Sequence, residues 1–206
     1  MPAYSKIQTA IPYRSDSFRA VLKKMEQFCI ELGFDEKVMA EWIAGIEWDV
    51  CNNGFVYSGG HQGAQQISFS DEIFLNVRPI VMGMSSMYYR NLPYDILIIE
   101  LLFEMDQICD WMQQRYRPWM RKVVEETSER MSRYFFEYGI FFTNEVTDMM
   151  PLESLICGDS KYLWYYDFAL VPITYEAAYS ELPKNYVATK GSGAIRIIRN
   201  NSWIEE

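Results

Sequence analysis

The most apolar run of the sequence is ILIIELLF, which covers Ile96 to Phe103. Apolar residues continue at three- and four-residue spacing as far as Met112, and Pro93 precedes the run at a position that suits the first turn of a helix. The spacing therefore predicts a long helix that begins near Pro93 and ends or kinks at Pro118. Because apolar residues occupy most of its circumference, we expect this helix to lie at the centre of the fold.

A further long helix is predicted from about Trp119 to Tyr138, where apolar residues again recur at helical spacing. The helix before it is rich in carboxylates, and Glu100 and Glu104 stand four residues apart, as in helical carboxylate-bridged metal sites. Such sites also use histidines, of which the chain has one. An acidic edge that faces solvent or a partner is therefore the preferred interpretation, and no metal ion or other cofactor is predicted.

Two shorter helices are predicted nearer the N-terminus. One apolar stripe extends from Phe18 to Leu32 and is followed by Gly33, a residue that tolerates the positive φ of a helix end. Asp35 can cap a second helix, which is predicted to reach Val50. Because the link between the two is short, they are predicted to form an antiparallel αα-hairpin.

Strands are predicted where the period of the apolar residues falls to two. Ile67 to Val77 is typical of a hairpin with its turn at Ser70–Glu72, and Phe168–Ile173 and Ala194–Ile198 are typical of later strands. The element order predicts an α+β fold, in which the N-terminal αα-hairpin and two further long helices pack on a small, mostly antiparallel sheet. A single domain is expected over residues 1–206, with an irregular lead at 1–14 and an extended C-terminal arm at 183–206.

Composition restricts the partners of the chain. Its formal net charge is -9, which argues against a general nucleic-acid surface and against an anionic membrane. The four cysteines form no CxxC motif, so neither a zinc site nor a redox pair is predicted. The first ten residues lack the apolar segment of a signal peptide, and no run approaches the roughly 20 apolar residues that span a bilayer. We expect a cytoplasmic protein, or one inside a particle assembled in the cytoplasm.

Aromatic and basic residues alternate directly after the acidic helix. The residues concerned are Trp111, Arg115, Tyr116, Arg117, Trp119 and Arg121. Guanidinium and aromatic groups together can stack nucleic-acid bases, and the arginines could also pair with neighbouring acids. The same residue types dominate the energetic centres of protein interfaces. In an acidic chain, protein contact is the preferred interpretation.

A second aromatic surface is predicted at Tyr162–Tyr166. If this segment is a strand, Tyr162, Trp164 and Tyr166 share one face, and large side chains also occupy the other face. One face can enter the core, but the other needs a further layer or another chain to cover it. We therefore include these three residues among the candidates for partner binding.

An alternative ligand site is suggested by Asp49, Asn53 and His61, the last of which lies in a glycine-rich loop. The two-helix layout of Phe18–Asn53 loosely resembles the start of the ATPase domain of anti-sigma-factor kinases and histidine kinases. In that family an acid and an asparagine four residues apart hold magnesium and phosphates, so the resemblance implies a nucleotide site at Asp49 and Asn53. The family's DxGxG motif, which binds adenine, does not occur in this sequence.

These features favour a non-enzymatic protein that acts through protein–protein association. It would bind another protein or itself, as a subunit of a larger assembly such as the connector or adaptor of a virus or phage particle. The alternative is a regulatory protein that binds a small molecule or nucleotide, a degenerate relative of the kinase-type ATPases.

Overall fold

The computed structural model describes residues 3–51, 55–56, 59–60, 62–89 and 91–205. Within these ranges the strands are β1 (Tyr4–Pro12), β2 (Phe55–Val56), β3 (Gln65–Ser68), β4 (Phe74–Met84), β5 (Ile96–Glu104), β6 (Cys109–Asp110), β7 (Arg115–Tyr116), β8 (Ile140–Asn144), β9 (Phe168–Pro172), β10 (Tyr186–Lys190) and β11 (Ala194–Arg199). The α-helices are α1 (Phe18–Leu32), α2 (Glu36–Ala44), α3 (Met105–Ile108), α4 (Pro118–Ser132) and α5 (Met150–Cys157), and 3₁₀-helices cover Ile173–Tyr179 and Asn200–Ser202.

Nine of the described strands form one sheet in the order β10-β11-β9-β8-β1-β5-β4, with β2 and β3 both paired to β4. Every pairing in this sheet is antiparallel. The short strands β6 and β7 form a separate hairpin. Because β8 and β11 run opposite to β9, the ends of β8 and β11 and the start of β9 meet at one end of the sheet.

The apolar run that predicts a central helix forms the central strand β5, so the helix prediction is wrong. Ile99 of β5 lies opposite Thr9 of β1 on one side and opposite Val81 of β4 on the other. Both faces of β5 are buried, and its sequence therefore lacks the alternation that marks a half-buried strand. A strand of this kind shares its apolar composition with a buried helix, from which periodicity alone does not distinguish it.

Helices cover both faces of the sheet. On the first face, Leu97, Ile99 and Leu101 belong to one core cluster with the buried sides of α1, α2 and α4. On the second face, Ile96 and Ile98 cluster with residues of α5, of the segment before β9 and of the 3₁₀-helix that follows β9. Each such aliphatic side chain contributes about 1.5–3 kcal/mol when fully buried. Burial on both faces explains why the strand residues of β5 are almost uniformly apolar.

The predictions for the N-terminal helices and for the first hairpin are largely confirmed. Helix α1 ends at Leu32, and Gly33 has a φ of 103°. The carboxylate of Asp35 accepts a hydrogen bond of 2.8 Å from the backbone N–H of Val38 and so caps α2. Strands β3 and β4 pair as predicted. Helix α2 ends at Ala44, however, and does not reach Val50.

The predicted fold class is wrong, because the sheet is large instead of small and the described residues lack one of the two further long helices. Of the two further long helices, only α4 is present, and it is shorter than predicted. The expected irregular lead contains β1, which lies between β5 and β8, and the expected C-terminal arm contains β10 and β11. Tyr162–Trp164 lies in a turn, and Tyr165 and Tyr166 belong to no regular element, so the predicted strand is absent here. Strand β1 escaped prediction because buried polar residues such as Ser5 and Gln8 interrupt its apolar pattern.

Candidate binding site

A pocket of about 340 Å³ lies at the end of the sheet where β8 and β11 finish and β9 begins. It is bounded by the β6–β7 hairpin on one side and by the 3₁₀-helix after β11 on the other. Its lining residues are Met105, Cys109, Trp111, Gln114, Arg115, Tyr116, Asn144, Asp167, Arg199, Asn201 and Ser202. Three of the predicted partner-binding residues, Trp111, Arg115 and Tyr116, are therefore brought together here.

Asp167 is the acidic group of the pocket. Its side chain is almost fully buried directly before β9, where it accepts hydrogen bonds from Tyr116 Oη at 3.1 Å and from Ser202 Oγ at 2.5 Å. Arg199 Nη1 lies 3.5 Å from Asp167 Oδ1. Burial raises the pKa of Asp167, although the hydrogen bond from Ser202 and the charge of Arg199 oppose that rise.

Tyr116 connects this carboxylate to the first face of the sheet. Its hydroxyl lies 3.0 Å from Ser5 Oγ of β1, and its ring packs against those of Phe142 and Trp203, whose centroids lie 4.9 and 5.1 Å away. Trp203 forms an isolated parallel β-bridge with Tyr116, and Ile204 donates its N–H to the Tyr116 carbonyl at 3.0 Å. Burial, followed by the charge of Asp167, raises the pKa of Tyr116 well above its usual value. Tyr116 is therefore a rigid, neutral wall of the pocket.

The β6–β7 hairpin is fixed by side-chain hydrogen bonds. Asp110 Oδ1 accepts from the N–H groups of Met112 and Gln113 at 2.9 and 3.1 Å, and Trp111 Nε1 donates to Asp106 at 3.0 Å. Gln114 has a φ of 55°, a left-handed conformation that reverses the chain before β7. The turn leaves the Met112 side chain 95% exposed beside the half-buried Trp111.

Positive charge collects at the mouth of the pocket. Arg115 and Arg117 are exposed, and within the described part of the chain neither forms an ion pair with a carboxylate. Arg199 also lines the pocket, but its guanidinium already faces Asp167. Arg115 therefore offers N–H donors to an acceptor group from outside the chain.

The remaining candidates of the Trp111–Arg121 segment lie on α4, away from this pocket. Trp119 is half-buried against the first-face core. Arg121 Nε donates to Glu125 at 2.9 Å on the same helix and lines a separate groove of about 670 Å³ together with Trp203. The intramolecular pairing considered for these arginines therefore applies to Arg121.

The aromatic residues near 164 contribute mainly to the second-face core. Tyr166 is fully buried, and its ring centroid lies 5.4 Å from both Phe141 and Tyr186. Trp164 is half-buried in the same cluster. Tyr162 is half-buried and meets Tyr165, the most exposed aromatic side chain of this segment, edge to face. The segment therefore leaves little aromatic surface for a partner.

The alternative ligand site is only partly visible. Asn53 and His61 lie outside the described residues. Asp49 is exposed and follows the end of α2 by several residues, so it does not stand on that helix. The helical acid–asparagine pair that carries the resemblance to kinase-type ATPases is therefore absent from α2.

A second buried polar cluster, which sequence reasoning missed, lies on the second face of the sheet. Lys6 Nζ is 2.5 Å from Asp148 Oδ2 and 3.3 Å from Glu100 Oε2. With its amide nitrogen turned toward the carboxylates, Gln8 donates to Asp148 at 3.0 Å and to Glu100 at 3.3 Å and accepts from Thr143. Burial raises the pKa of Glu100 to about 7 despite the nearby Lys6. Neither Lys6 nor Glu100 lines the pocket of about 340 Å³ at the end of the sheet.

Sequence reasoning also missed Asp167, Arg199 and Ser202. Asp167 stands alone between aromatic residues at the start of an apolar strand, and a single charge in that position was the one local signal of a buried site. Arg199 reaches the pocket from the end of β11, and Ser202 reaches it from the 3₁₀-helix that follows.

Comparisons with known proteins give no relative from which a function could be transferred. No protein-family model, curated protein or solved structure matches the chain. Across the described ranges, no helix has both the length and the apolar character needed to cross a lipid bilayer.

Proposed function

We propose that this chain is a non-enzymatic binding protein, a subunit that associates with a protein partner through the β6–β7 hairpin and the adjoining pocket. The observation that carries the proposal is the 95% exposure of Met112 on a fixed hairpin beside Trp111 and Arg115. Tryptophan, arginine and methionine are the residues enriched at the centres of protein interfaces. A hairpin held by Asp110 also loses little conformational entropy on binding.

Charge indicates the kind of partner group. The chain as a whole carries a net charge of -9, but Arg115 and Arg199 line the pocket, and the exposed Arg117 follows Arg115 by two residues. A carboxylate arriving there would accept bidentate hydrogen bonds from the Arg115 guanidinium, which pairs with no carboxylate in the described residues, whereas a cationic group would be repelled by it. We therefore propose that the partner inserts an acidic side chain into the pocket.

The chemistry of the pocket supports binding in preference to catalysis. The Asp167 carboxylate already accepts from two hydroxyls and faces Arg199, so its oxygens are engaged. Burial raises the pKa of the Cys109 thiol, and its Sγ lies 3.3 Å from the Arg115 carbonyl oxygen. Both features work against a free base or a thiolate nucleophile.

The proposal is tested with a fluorescent oligoglutamate peptide, whose binding is followed by anisotropy at low salt. Arg115→Glu is expected to weaken binding at least about tenfold, because it replaces attraction by repulsion at the mouth. Arg14→Glu is the matched control, since Arg14 is exposed next to the opposite end of β1 and carries the same charge change. Equal weakening by both variants, or no binding by the native chain, would contradict the proposal.

A small anionic molecule is the second candidate ligand, because the pocket volume of about 340 Å³ lies within the range of small-molecule sites. Thermal unfolding with citrate, inorganic phosphate or ATP and magnesium tests this function. A ligand at about 100 times its Kd stabilises the native state by about 2.7 kcal/mol. A shift that Arg115→Glu abolishes would favour a small-molecule function over a protein partner.

A further inference from the structure

Strand β10 forms one edge of the large sheet. It consists of the five residues Tyr186–Lys190, and β11 is its single neighbour among the described strands. No residue of β10 lines the pocket described above. The β10 edge is therefore separate from the surface that carries the proposed function.

The β10–β11 register determines which backbone groups face outward. Gly191 N donates to Ala194 O at 2.8 Å, and Asn200 N donates to Asn185 O at 2.9 Å, at the two ends of the ladder. Hydrogen-bonded pairs alternate along an antiparallel ladder, so Val187 and Thr189 also bond to β11. The N–H and C=O groups of the residues between them must then point away from the sheet.

Three residues consequently present backbone groups at the open edge. Ala188 and Lys190 each offer one N–H and one C=O. The N–H of Tyr186 donates to Pro183 O at 2.9 Å, so this residue offers its C=O alone. These groups are a template for another antiparallel strand.

The edge carries few of the features that prevent strand addition. Lys190 is its one charged residue, at the end of the strand, and its amine pairs with Glu176 at 2.5 Å. Val187 is 49% exposed on the outer strand. Natural edge strands are more often protected by several charges, a proline or a bulge.

We propose that β10 pairs with β10 of a second copy of this chain, antiparallel and across a two-fold axis at Ala188. The two copies of Ala188 then exchange N–H···O=C bonds, and Lys190 N–H of each copy donates to Tyr186 C=O of the other. All the outward groups of Ala188 are satisfied by this register, and the two-fold symmetry closes the assembly as a dimer.

The side chains are compatible with this register. Val187 lies opposite Thr189 of the second copy, a pair of β-branched residues suited to a sheet. Lys190 lies opposite Tyr186, so no like charges face each other across the new ladder. Two copies of β10 are therefore complementary to each other in this register.

Groups beside the strand enlarge the contact, because a five-residue edge buries less than the roughly 1,200 Å² of a stable interface. The pairing carries the segment before Tyr186 of one copy alongside the Gly191–Gly193 turn of the other. That segment includes Leu182, which is 40% exposed. A groove of about 600 Å³, lined in part by Phe136 and Leu170, adjoins the turn and can accept an apolar side chain.

The first test is the mass of the full chain by sedimentation equilibrium from micromolar to millimolar concentration. A monomer–dimer equilibrium is expected, and Ala188→Pro is expected to raise its dissociation constant at least about tenfold. Proline removes an outward N–H but no bond to β11, an arrangement that edge strands tolerate. Ala188→Ser keeps the N–H and is expected to dimerise like the native chain. A strictly monomeric native chain, or an unchanged dimer in folded Ala188→Pro, would overturn the proposal.

A charge exchange tests the register and does not depend on the folding of the proline variant. Changing Val187 and Thr189 together to Lys places like charges opposite one another, and changing both to Glu does the same with the other sign. Each double variant is expected to be monomeric alone, while an equal mixture forms heterodimers. Failure of the mixture to associate would refute the β10 pairing, whatever the binding result at the pocket.

Discussion

Glu100 shows how a single residue can link the stability of this protein to pH. Its carboxylate is fully buried opposite Gln8 on the central strand, and burial raises its pKa to about 7, against about 4.3 in an unfolded chain. The folded state therefore binds more protons than the unfolded state between these values. The contribution of Glu100 to stability is present at low pH and is lost as the pH rises to about 7.

Replacing Lys6 should increase this dependence on pH. Burial alone would lower the pKa of Lys6, but Glu100 and Asp148 outweigh it and raise that pKa, so the ammonium and the carboxylates stabilise one another. In Lys6→Met, the Glu100 pKa rises further, and the protein is expected to lose more stability at pH 8 than at pH 5. Breaking a buried pair of this kind costs about 3–5 kcal/mol.

Urea unfolding at the two pH values measures the effect. Glu100→Gln in the Lys6→Met background is the control, because an uncharged amide should remove the difference between pH 5 and pH 8. An equal loss of stability at both pH values in Lys6→Met alone would show that Glu100 does not titrate in this range.

At Asp167, replacement by asparagine should cost less stability than replacement by alanine. Asp167→Ala leaves Tyr116 Oη, Ser202 Oγ and Arg199 without their shared acceptor, and we expect a loss of about 3–5 kcal/mol at neutral pH. Asp167→Asn retains one acceptor oxygen and should lose about half as much. Equilibrium denaturation of the two variants measures the difference, and equal losses would mean that the oxygen and the volume retained by asparagine contribute nothing without the negative charge.

At the scale of single elements, the start of β8 depends on Gly139. This residue has a φ of 94°, and a Cβ at its position would lie 2.8 Å from the Leu170 carbonyl oxygen on β9. Gly33, at the end of α1, has a φ of 103° with nothing near the same position. Gly139→Ala therefore combines backbone strain with a steric clash, whereas Gly33→Ala suffers strain alone.

We expect Gly33→Ala to cost about 1 kcal/mol and Gly139→Ala at least about 1–3 kcal/mol more. Thermal and denaturant unfolding of both variants provides the comparison. Equal costs would mean that β8 and β9 can separate at this point without penalty.

The elements that could be predicted from the sequence are those with one buried face. Helix α1 has a single apolar stripe and a glycine directly after it, and its bounds agree with the prediction. Strand β5 is buried on both faces and carries no period, so its helical interpretation failed. Its length was the better guide, because an eight-residue run rich in isoleucine is typical of a strand.

The residues of the candidate site also fall into two groups, those that could be identified from the sequence and those that could not. Trp111, Arg115 and Tyr116 could be identified because they belong to one short hairpin, where neighbours in sequence are neighbours in space. Asp167 stands directly before β9 and Arg199 ends β11, and their approach depends on a strand order that the sequence pattern does not reveal. The exposure of Met112 likewise depends on the direction in which the hairpin turns.

At the scale of the whole molecule, one sheet separates two cores, and its strands contribute to both. Trp203 belongs to the first core and Trp164 packs on the second. We expect a single cooperative transition, in which tryptophan fluorescence and far-ultraviolet circular dichroism change together. Trp203→Ala should reduce the free energy of unfolding by about 3–5 kcal/mol, and the fluorescence and circular dichroism signals should report the same reduction. Separate transitions would show that the two layers unfold independently.

The central position of β1 also determines when the sheet can be completed during synthesis. Ile7 pairs with Leu101 on one side and with Phe142 on the other, and both partners are translated long after it. At about 5–20 residues per second, β1 waits on the order of ten seconds before β8 leaves the ribosome. Until β5 is complete β1 has no native neighbour, and its other side stays open until β8 follows, so early termination of translation should release fragments that aggregate instead of folding.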